Sequence, residues 1–337
     1  MKWSVLFLGL FTFFTGCTNR TLTEDVPFQG IEFTDLSNLN LSFKSSALSA
    51  SDIQLSRELL FSQYTLDDVY PYKDTVRSIK WNVIRQCLAY VENIQQEQQV
   101  WCVLQNYKNF NREAPLVRRF VRNEYKRVSD TLGVERYQSV PLYQPSDTLV
   151  PIRYGRDGSI AAIYKEEGSF YHIRPASLSQ TWCVPKRYVK KLKKNVAFHH
   201  VVVVDRGDQN IVTVERVGLG EWKIRSVNPA TTGRKRPPFA QETPLGLFLI
   251  QQKKERMLYL KDGSGALGGF APYASRFTNG AYIHGVPVNV PRKSMIEYSW
   301  SLGTVPRSHM CVRNATSHAR FIFDWAPVEE SLVLVIE

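Results

Sequence analysis

Acidic residues are in short supply in this 337-residue chain: 31 Asp and Glu face 43 Lys and Arg, for a formal charge of +12. Long apolar runs are scarcer still. Only the first residues approach membrane-spanning length, which excludes a multi-span membrane protein. Charged residues make up 22% and hydrophobic ones 43%, so neither a disordered chain nor a collagen-like fibre fits. Cysteine is rare, odd in number and irregularly spaced: Cys17, Cys87, Cys102, Cys183 and Cys311. That pattern is no disulfide framework, so each cysteine needs its own explanation.

What is present begins with a leader. Lys2 precedes an apolar stretch from Val5 to Phe14, which is too short to span a bilayer and reads as a signal peptide over 1–16. Phe14-Thr15-Gly16-Cys17 resembles the lipobox of bacterial lipoproteins, which implies lipidation at Cys17 and cleavage before it. A plain secretory signal is the alternative. Acyl chains contribute about 0.8 kcal/mol per buried methylene, and two or more hold a protein stably at a membrane. The expected product is an exported lipoprotein facing the periplasm or cell wall, with a charge of +11 once Lys2 is lost. Residues 17–50 are polar and read as a tether.

Residues 51–135 read as a helical domain. Ser51-Asp52 suit a helix start, with Leu55, Leu59 and Leu60 on one face. Val83, Ile84, Cys87, Leu88, Val91 and Ile94 then recur at helical steps, and Val100, Trp101, Val103 and Leu104 resume after a polar break at Gln95–Gln99. In one continuous helix Cys87 and Cys102 would stand about 22 Å apart, so pairing requires the chain to turn back at the break. Buried free thiols are the plainer reading. Residues 136–196 suggest a small β module, SH3-like in its run of hairpins, with turns at Gly155–Gly158 and Glu167-Gly168. It ends in Lys186–Lys194, six basic residues in nine. A solvated helix face, attraction to anionic lipid or wall polymer, and nucleic-acid binding are the three readings; an exported protein disfavours the last. His172, His199 and His200 read as structural.

Residues 197–337 turn β-rich and carry the chemistry. Lys261–Gly269 holds four glycines, Gly263, Gly265, Gly268 and Gly269, and reads as a mobile loop. Cys311 follows His309 by two residues, and His284 lies upstream. Three readings meet there. A buried structural cysteine sits badly among Ser308, His309, Arg313 and Asn314. A metal site from His284, His309, Cys311 and His318 has suitable ligand types but poor spacing. A nucleophile activated by histidine fits. Asn314 or Thr316 would cap a helix through Ala319, Phe321, Ile322 and Trp325, whose dipole, with Arg313, would favour a thiolate at Cys311.

At these residues the chain resembles the L,D-transpeptidase family of peptidoglycan enzymes. The landmarks occur in order: Thr243-Pro-x-Gly-x-Phe248, Ile283-His284-Gly285, and Ser308-His-x-Cys-Val-Arg313, then a closing helix and a strand at Leu332–Ile336. The resemblance implies a mostly β sandwich within an α+β multidomain chain. It implies Cys311 as nucleophile, His284 as base, and the Gly285 carbonyl as the group orienting the imidazole. It places His309 as a second histidine holding the loop or polarising the site, and Met310 and Cys311 N–H groups as the oxyanion hole. Ser308, Arg313, Asn314 and Tyr282 would brace the site or contact substrate. Met310 departs from the family's usual glycine, which is costly if that position needs positive φ.

The implied reaction joins stem peptides of peptidoglycan. Cys311 attacks the third residue of a donor tetrapeptide, expels D-alanine, and passes the acyl group to the third-residue amine of a neighbour. No metal or organic cofactor is implied, and carbapenem β-lactams are expected to acylate the same thiol. Water as acceptor would make the protein an L,D-carboxypeptidase, a protein amine would make it an anchoring enzyme, and a non-catalytic peptidoglycan-binding lipoprotein is the other alternative. Peptidoglycan stems and a membrane are the expected partners; nucleic acid is not.

Overall fold

The computed structural model describes residues 47–96, 99–178 and 180–337. The leader over 1–16, Cys17 and most of the tether lie outside the described residues. Val201–Val204 is an unbroken valine run. Such a run suits a strand covered on both faces. Its strand, His200–Asp205, lies inside a six-stranded sheet in the order Gln54–Arg57, Glu221–Pro229, Asn210–Gly218, His200–Asp205, Ser331–Ile336, Gly246–Leu249.

One face of this sheet presents Val201, Val203, Val212, Val214, Trp222, Leu332 and Leu334 to the helix Trp81–Gln96, which contributes Ile84, Cys87, Leu88 and Val91. The other face presents Val202, Val204, Val333 and Val335 to a second sheet and to the helix Thr316–Trp325. That second sheet runs Gln252–Leu260, Leu267–Thr278, Ala281–His284, Val312–Arg313. Each fully buried Val, Leu, Ile or Phe side chain contributes on the order of 1.5–3 kcal/mol, so the two covered faces hold most of the driving force. A buried carboxylate stitches the helix to the sheet: Glu92 accepts from Arg216 Nε at 2.9 Å, Trp222 Nε1 at 3.0 Å and the Gly220 N–H at 3.1 Å.

Four expectations are corrected here. Residues 51–135 are not a helical domain, because one α-helix stands among short strands. Leu55 belongs to a strand that adds in parallel to the edge at Glu221–Ile224, so ladder pairing overrides its helical spacing. Val100–Leu104 is also a strand, and its five mostly β-branched or aromatic residues pair with Ile160–Ile163. The boundary expected near 197 does not separate two cores, since the helix Trp81–Gln96 shares one with the C-terminal sheet.

Val100–Leu104 is an inner strand of a five-stranded sheet, ordered Trp182–Pro185, Phe170–Pro175, Ile160–Glu167, Val100–Leu104, Val189–Lys191. The hairpin Ser139–Leu142 with Arg153–Arg156 supplies Val140 and Leu142 to the same core. Cys87 and Cys102 are both buried and free, and they face different cores, so the turn between them does not pair them. The basic run is a short 3₁₀ turn and an edge strand, not a helix. Its lysines meet carboxylates: Lys186 and Lys191 on Glu166, Lys190 on Glu329 and Lys193 on Glu330.

Candidate functional site

Ala281–His284 and Val312–Arg313 pair in parallel, with Ile283 opposite Val312 and His284 opposite Arg313. Ile283 and Val312 both point into the sandwich core. Strand alternation therefore sends Tyr282, His284, Cys311 and Arg313 to the opposite face. Cys311 immediately precedes the second strand, and its thiol lies near the Tyr282 backbone, which carries the alternation one residue further and puts thiol and imidazole on one face.

His284 is buried, and its Nδ1 stands 2.6 Å from the Gly285 carbonyl oxygen. Nδ1 must carry the proton to donate there, which leaves the Nε2 lone pair free to accept one. The orienting role implied for Gly285 thus has its geometry. Burial pulls the His284 pKa down to about 4, Arg313 adds to that, and the Gly285 bond opposes it.

Cys311 is half-buried, unlike Cys87, Cys102 and Cys183, and its Sγ–H points to the Gly280 carbonyl at 3.7 Å. Burial pushes its pKa up, against the smaller lowering from a backbone hydrogen bond at Tyr282 and the charge of Arg313. Both shifts favour the neutral forms, thiol at Cys311 and imidazole at His284. The helix cap also differs from the one expected. Its N-cap is Ala315, with no side-chain cap, and neither Asn314 nor Thr316 fills that role. Glu297 takes the exposed N–H groups instead: its carbonyl accepts from Thr316 N at 2.8 Å and its carboxylate from Ser317 N at 3.1 Å. The positive end of the dipole faces that carboxylate.

The cysteine loop is tightly braced. Ser308 is buried and donates its hydroxyl to the Cys311 carbonyl, so it braces the loop. Met310 has φ of 121°, a region that favours glycine. Its N–H is turned to Ser308 Oγ at 3.3 Å, which differs from the open oxyanion donor expected there. Thr243, the threonine of the Thr-Pro-x-Gly element, donates to the Met310 carbonyl at 2.8 Å and accepts from Gly233 N–H at 2.8 Å. Gly233 allows that contact: a Cβ there would lie 2.7 Å from Met310 Cα. Thr243 and Gly233 are positioning residues that motif reading named only as landmark or not at all.

The remaining candidates differ in exposure and partners. His309 is exposed and pairs with Asp262 of the glycine loop at 2.9 Å, joining the two loops. Asn314 is fully buried, and its N–H on the His284 carbonyl at 2.9 Å supports the strand pair. Tyr282 is also buried, with its hydroxyl 3.3 Å from that of Tyr107, and burial pushes its pKa up. His318 lies in the core with Nε2 on Ser226 Oγ at 2.8 Å. The four residues of the metal reading are thus not brought together. His172 packs beside Cys183 Sγ at 3.4 Å and Glu167 at 2.9 Å, and Cys183 is sealed from solvent.

One further group was silent in the sequence. Asp157, fully buried at the turn of the small β module, accepts from Asn106 N at 2.8 Å, Gln251 Nε2 at 3.0 Å, Asn279 N at 3.1 Å and the Arg276 guanidinium. It thereby fixes the turn whose next residue, Gly280, receives the Cys311 thiol.

Residues 199–335 match the YkuD family, the L,D-transpeptidase catalytic domain. No curated protein matches the chain. Among solved structures, an L,D-transpeptidase from Mycobacterium smegmatis is 16% identical, with 53% of this chain and 90% of that one covered at a TM-score of 0.34. L,D-transpeptidase 3 from Mycobacterium tuberculosis, in complex with a faropenem-derived adduct, is 18% identical, with 54% and 93% covered at 0.33. The LD transpeptidase LdtMt1 in complex with imipenem is 20% identical, with 56% and 71% covered at 0.32. The chain carries a YkuD-family L,D-transpeptidase catalytic domain at residues 199–335.

Proposed function

We propose that this protein is a peptidoglycan L,D-transpeptidase acting through a thioester on Cys311. The observation that carries the reading is the shared face of Cys311 and His284, with the imidazole held by Gly285 in the tautomer that accepts a proton at Nε2. The stem peptide's third-residue carbonyl enters beside Cys311. His284 removes the thiol proton as sulfur attacks, and the negative oxygen is met by the Cys311 N–H, joined by Met310 N–H once it leaves Ser308. The tetrahedral intermediate collapses, the amine of D-alanine takes the proton from His284, and the thioester remains. A neighbouring stem's amine attacks the thioester carbonyl, transfers its proton to His284, and releases the thiol with a cross-link between third residues.

A neutral resting pair suits this order, because the proton moves only when a carbonyl is in place. The same thiol would open a carbapenem ring and keep the acyl group. The leader supports a second part of the proposal, a lipoprotein held at a membrane through Cys17 and facing the wall.

Intact mass of the protein incubated with a carbapenem tests the nucleophile: one adduct is expected, absent in Cys311→Ala. Purified tetrapeptide stems and mass analysis of products then test the acceptor. Dimers joined through third residues support transpeptidation, whereas tripeptides alone assign the L,D-carboxypeptidase reaction. No adduct and no product together would rule out the enzyme and leave the peptidoglycan-binding alternative.

A further inference from the structure

Three arginines meet beside the nucleophile on backbone segments that the fold binds together. Thr231 bridges Arg313 and Gly233 bridges Ser308, while Arg307 N donates to the Thr232 carbonyl at 2.9 Å and Arg234 N to the Ser308 carbonyl at 3.0 Å. Arg234, Arg307 and Arg313 each carry a buried Nε–H with no partner. Among the described residues, none of the three makes an ion pair with a carboxylate. A buried N–H without an acceptor is costly, and like charges held close together add to the cost. Burial lowers the Arg313 pKa, and the charges of Arg234 and Arg307 lower it further.

The cluster borders an open space. Arg313 helps line a cavity of about 310 Å³ with Trp300, and Arg307 stacks on the Trp300 ring 4.8 Å from its centre. Arg313 follows Cys311 by two residues on the same face of its strand, about 6–7 Å along. In a peptide attacked at its penultimate carbonyl, the terminal carboxylate lies about 3.5 Å further along the chain. A long guanidinium side chain spans the difference.

We infer that Arg234, Arg307 and Arg313 form a carboxylate subsite that holds the terminal carboxylate of the donor's leaving residue. Guanidinium forks match a carboxylate in geometry and charge, and the bound anion satisfies donors that the protein leaves open. A donor extended by one more residue, or ending in an amide, presents no anion there. The subsite therefore selects donors by where they end. The inference rests on the acyl-transfer reading above, and a probe that needs no acyl transfer separates the two.

That probe is alkylation of Cys311 by iodoacetate and by iodoacetamide, followed by mass, with free cysteine as the reference. In the wild type the iodoacetate-to-iodoacetamide rate ratio is expected to exceed that of free cysteine by about tenfold, as a focused positive field concentrates anions. Arg234→Gln and Arg307→Gln should each lower the ratio several-fold, and lysine at either position should restore part of it. Acetate, but not acetamide, should protect wild-type Cys311 from iodoacetamide, a readout that needs no variant. A wild-type ratio equal to that of free cysteine overturns the subsite, as does a raised ratio that neither glutamine variant changes. A carbapenem adduct without carboxylate preference would sink only the subsite. Carboxylate preference without any acylation would sink only the acyl-transfer reading.

Discussion

Met310 is where a single side chain conflicts with its backbone. A φ of 121° suits glycine, and a bulky residue held there is strained by about 1–3 kcal/mol. Thr243 and Gly233 hold the peptide in place from below, so the strain cannot relax. Replacing Met310 by alanine removes the side chain's packing and keeps the strain; glycine removes both. Glycine ordinarily lowers stability relative to alanine through the entropy of the unfolded chain. Here the order should reverse, with Met310→Gly more stable than Met310→Ala by about 1 kcal/mol in urea unfolding. Equal stability, or alanine ahead, would show that the loop relaxes.

Two histidines set a pH dependence at the same scale. Burial holds His284 at about 4 and His318 at about 3, below the usual 6.5. Between those values and pH 6.5 the unfolded chain takes up protons that the folded chain refuses. Stability is therefore complete above pH 6.5 and falls as pH is lowered, by up to about 1.4 kcal/mol per pH unit for each histidine. Unfolding free energies at pH 7.5 and pH 5 should differ accordingly, and His318→Gln should flatten the slope by about half. An unchanged slope in the variant would remove His318 from the account.

At the scale of elements, the turn Asn279-Gly280 is placed by a carboxylate from another sheet. Asp157 is fully buried and pairs with Arg276, and the glycine after it cannot change, because a Cβ at Gly158 would meet the Phe277 carbonyl at 1.9 Å. Asp157→Ala leaves the Arg276 charge buried and unpaired, with an expected cost of about 3–5 kcal/mol. The carbapenem acylation rate should fall as well, because Gly280 no longer holds the thiol. Calorimetry and the adduct's time course check the two effects, and a variant with wild-type melting and wild-type acylation would refute the link. The helix Thr316–Trp325 was legible from its apolar spacing, but its cap was not. The capping group comes from Glu297, far outside the local window that spacing rules read.

For the whole molecule, the consequence is that the catalytic sheet does not cover itself. Val201, Val203, Leu332 and Leu334 face the helix Trp81–Gln96, and Glu92 on that helix holds Arg216 and Trp222. Residues 197–337 expressed alone should expose this face and fail to melt cooperatively, while residues 47–337 should melt as one transition. Circular dichroism on both chains decides it; a cooperative transition in the shorter chain would mean that the face is dispensable.

The chain's local chemistry was readable without coordinates wherever the information lies within a few residues. Ser308-His-x-Cys-Val-Arg313 and Ile283-His284-Gly285 carry the resemblance that implies a nucleophilic thiol, a basic imidazole and the carbonyl that orients it. The alternation that puts Cys311 and His284 on one face follows once the two strands are known to pair. Which strands pair, however, is a matter of contacts between distant segments, and short apolar runs such as Val100–Leu104 fit helix and strand alike. Only the tertiary structure decided that this run is a strand, that Glu297 meets the N-terminus of the helix, and that burial pushes the Cys311 pKa up. It alone brought Arg234, Arg307 and Arg313 together without a counter-charge. Each of these depends on burial and on charges from remote parts of the chain, which sequence spacing does not encode.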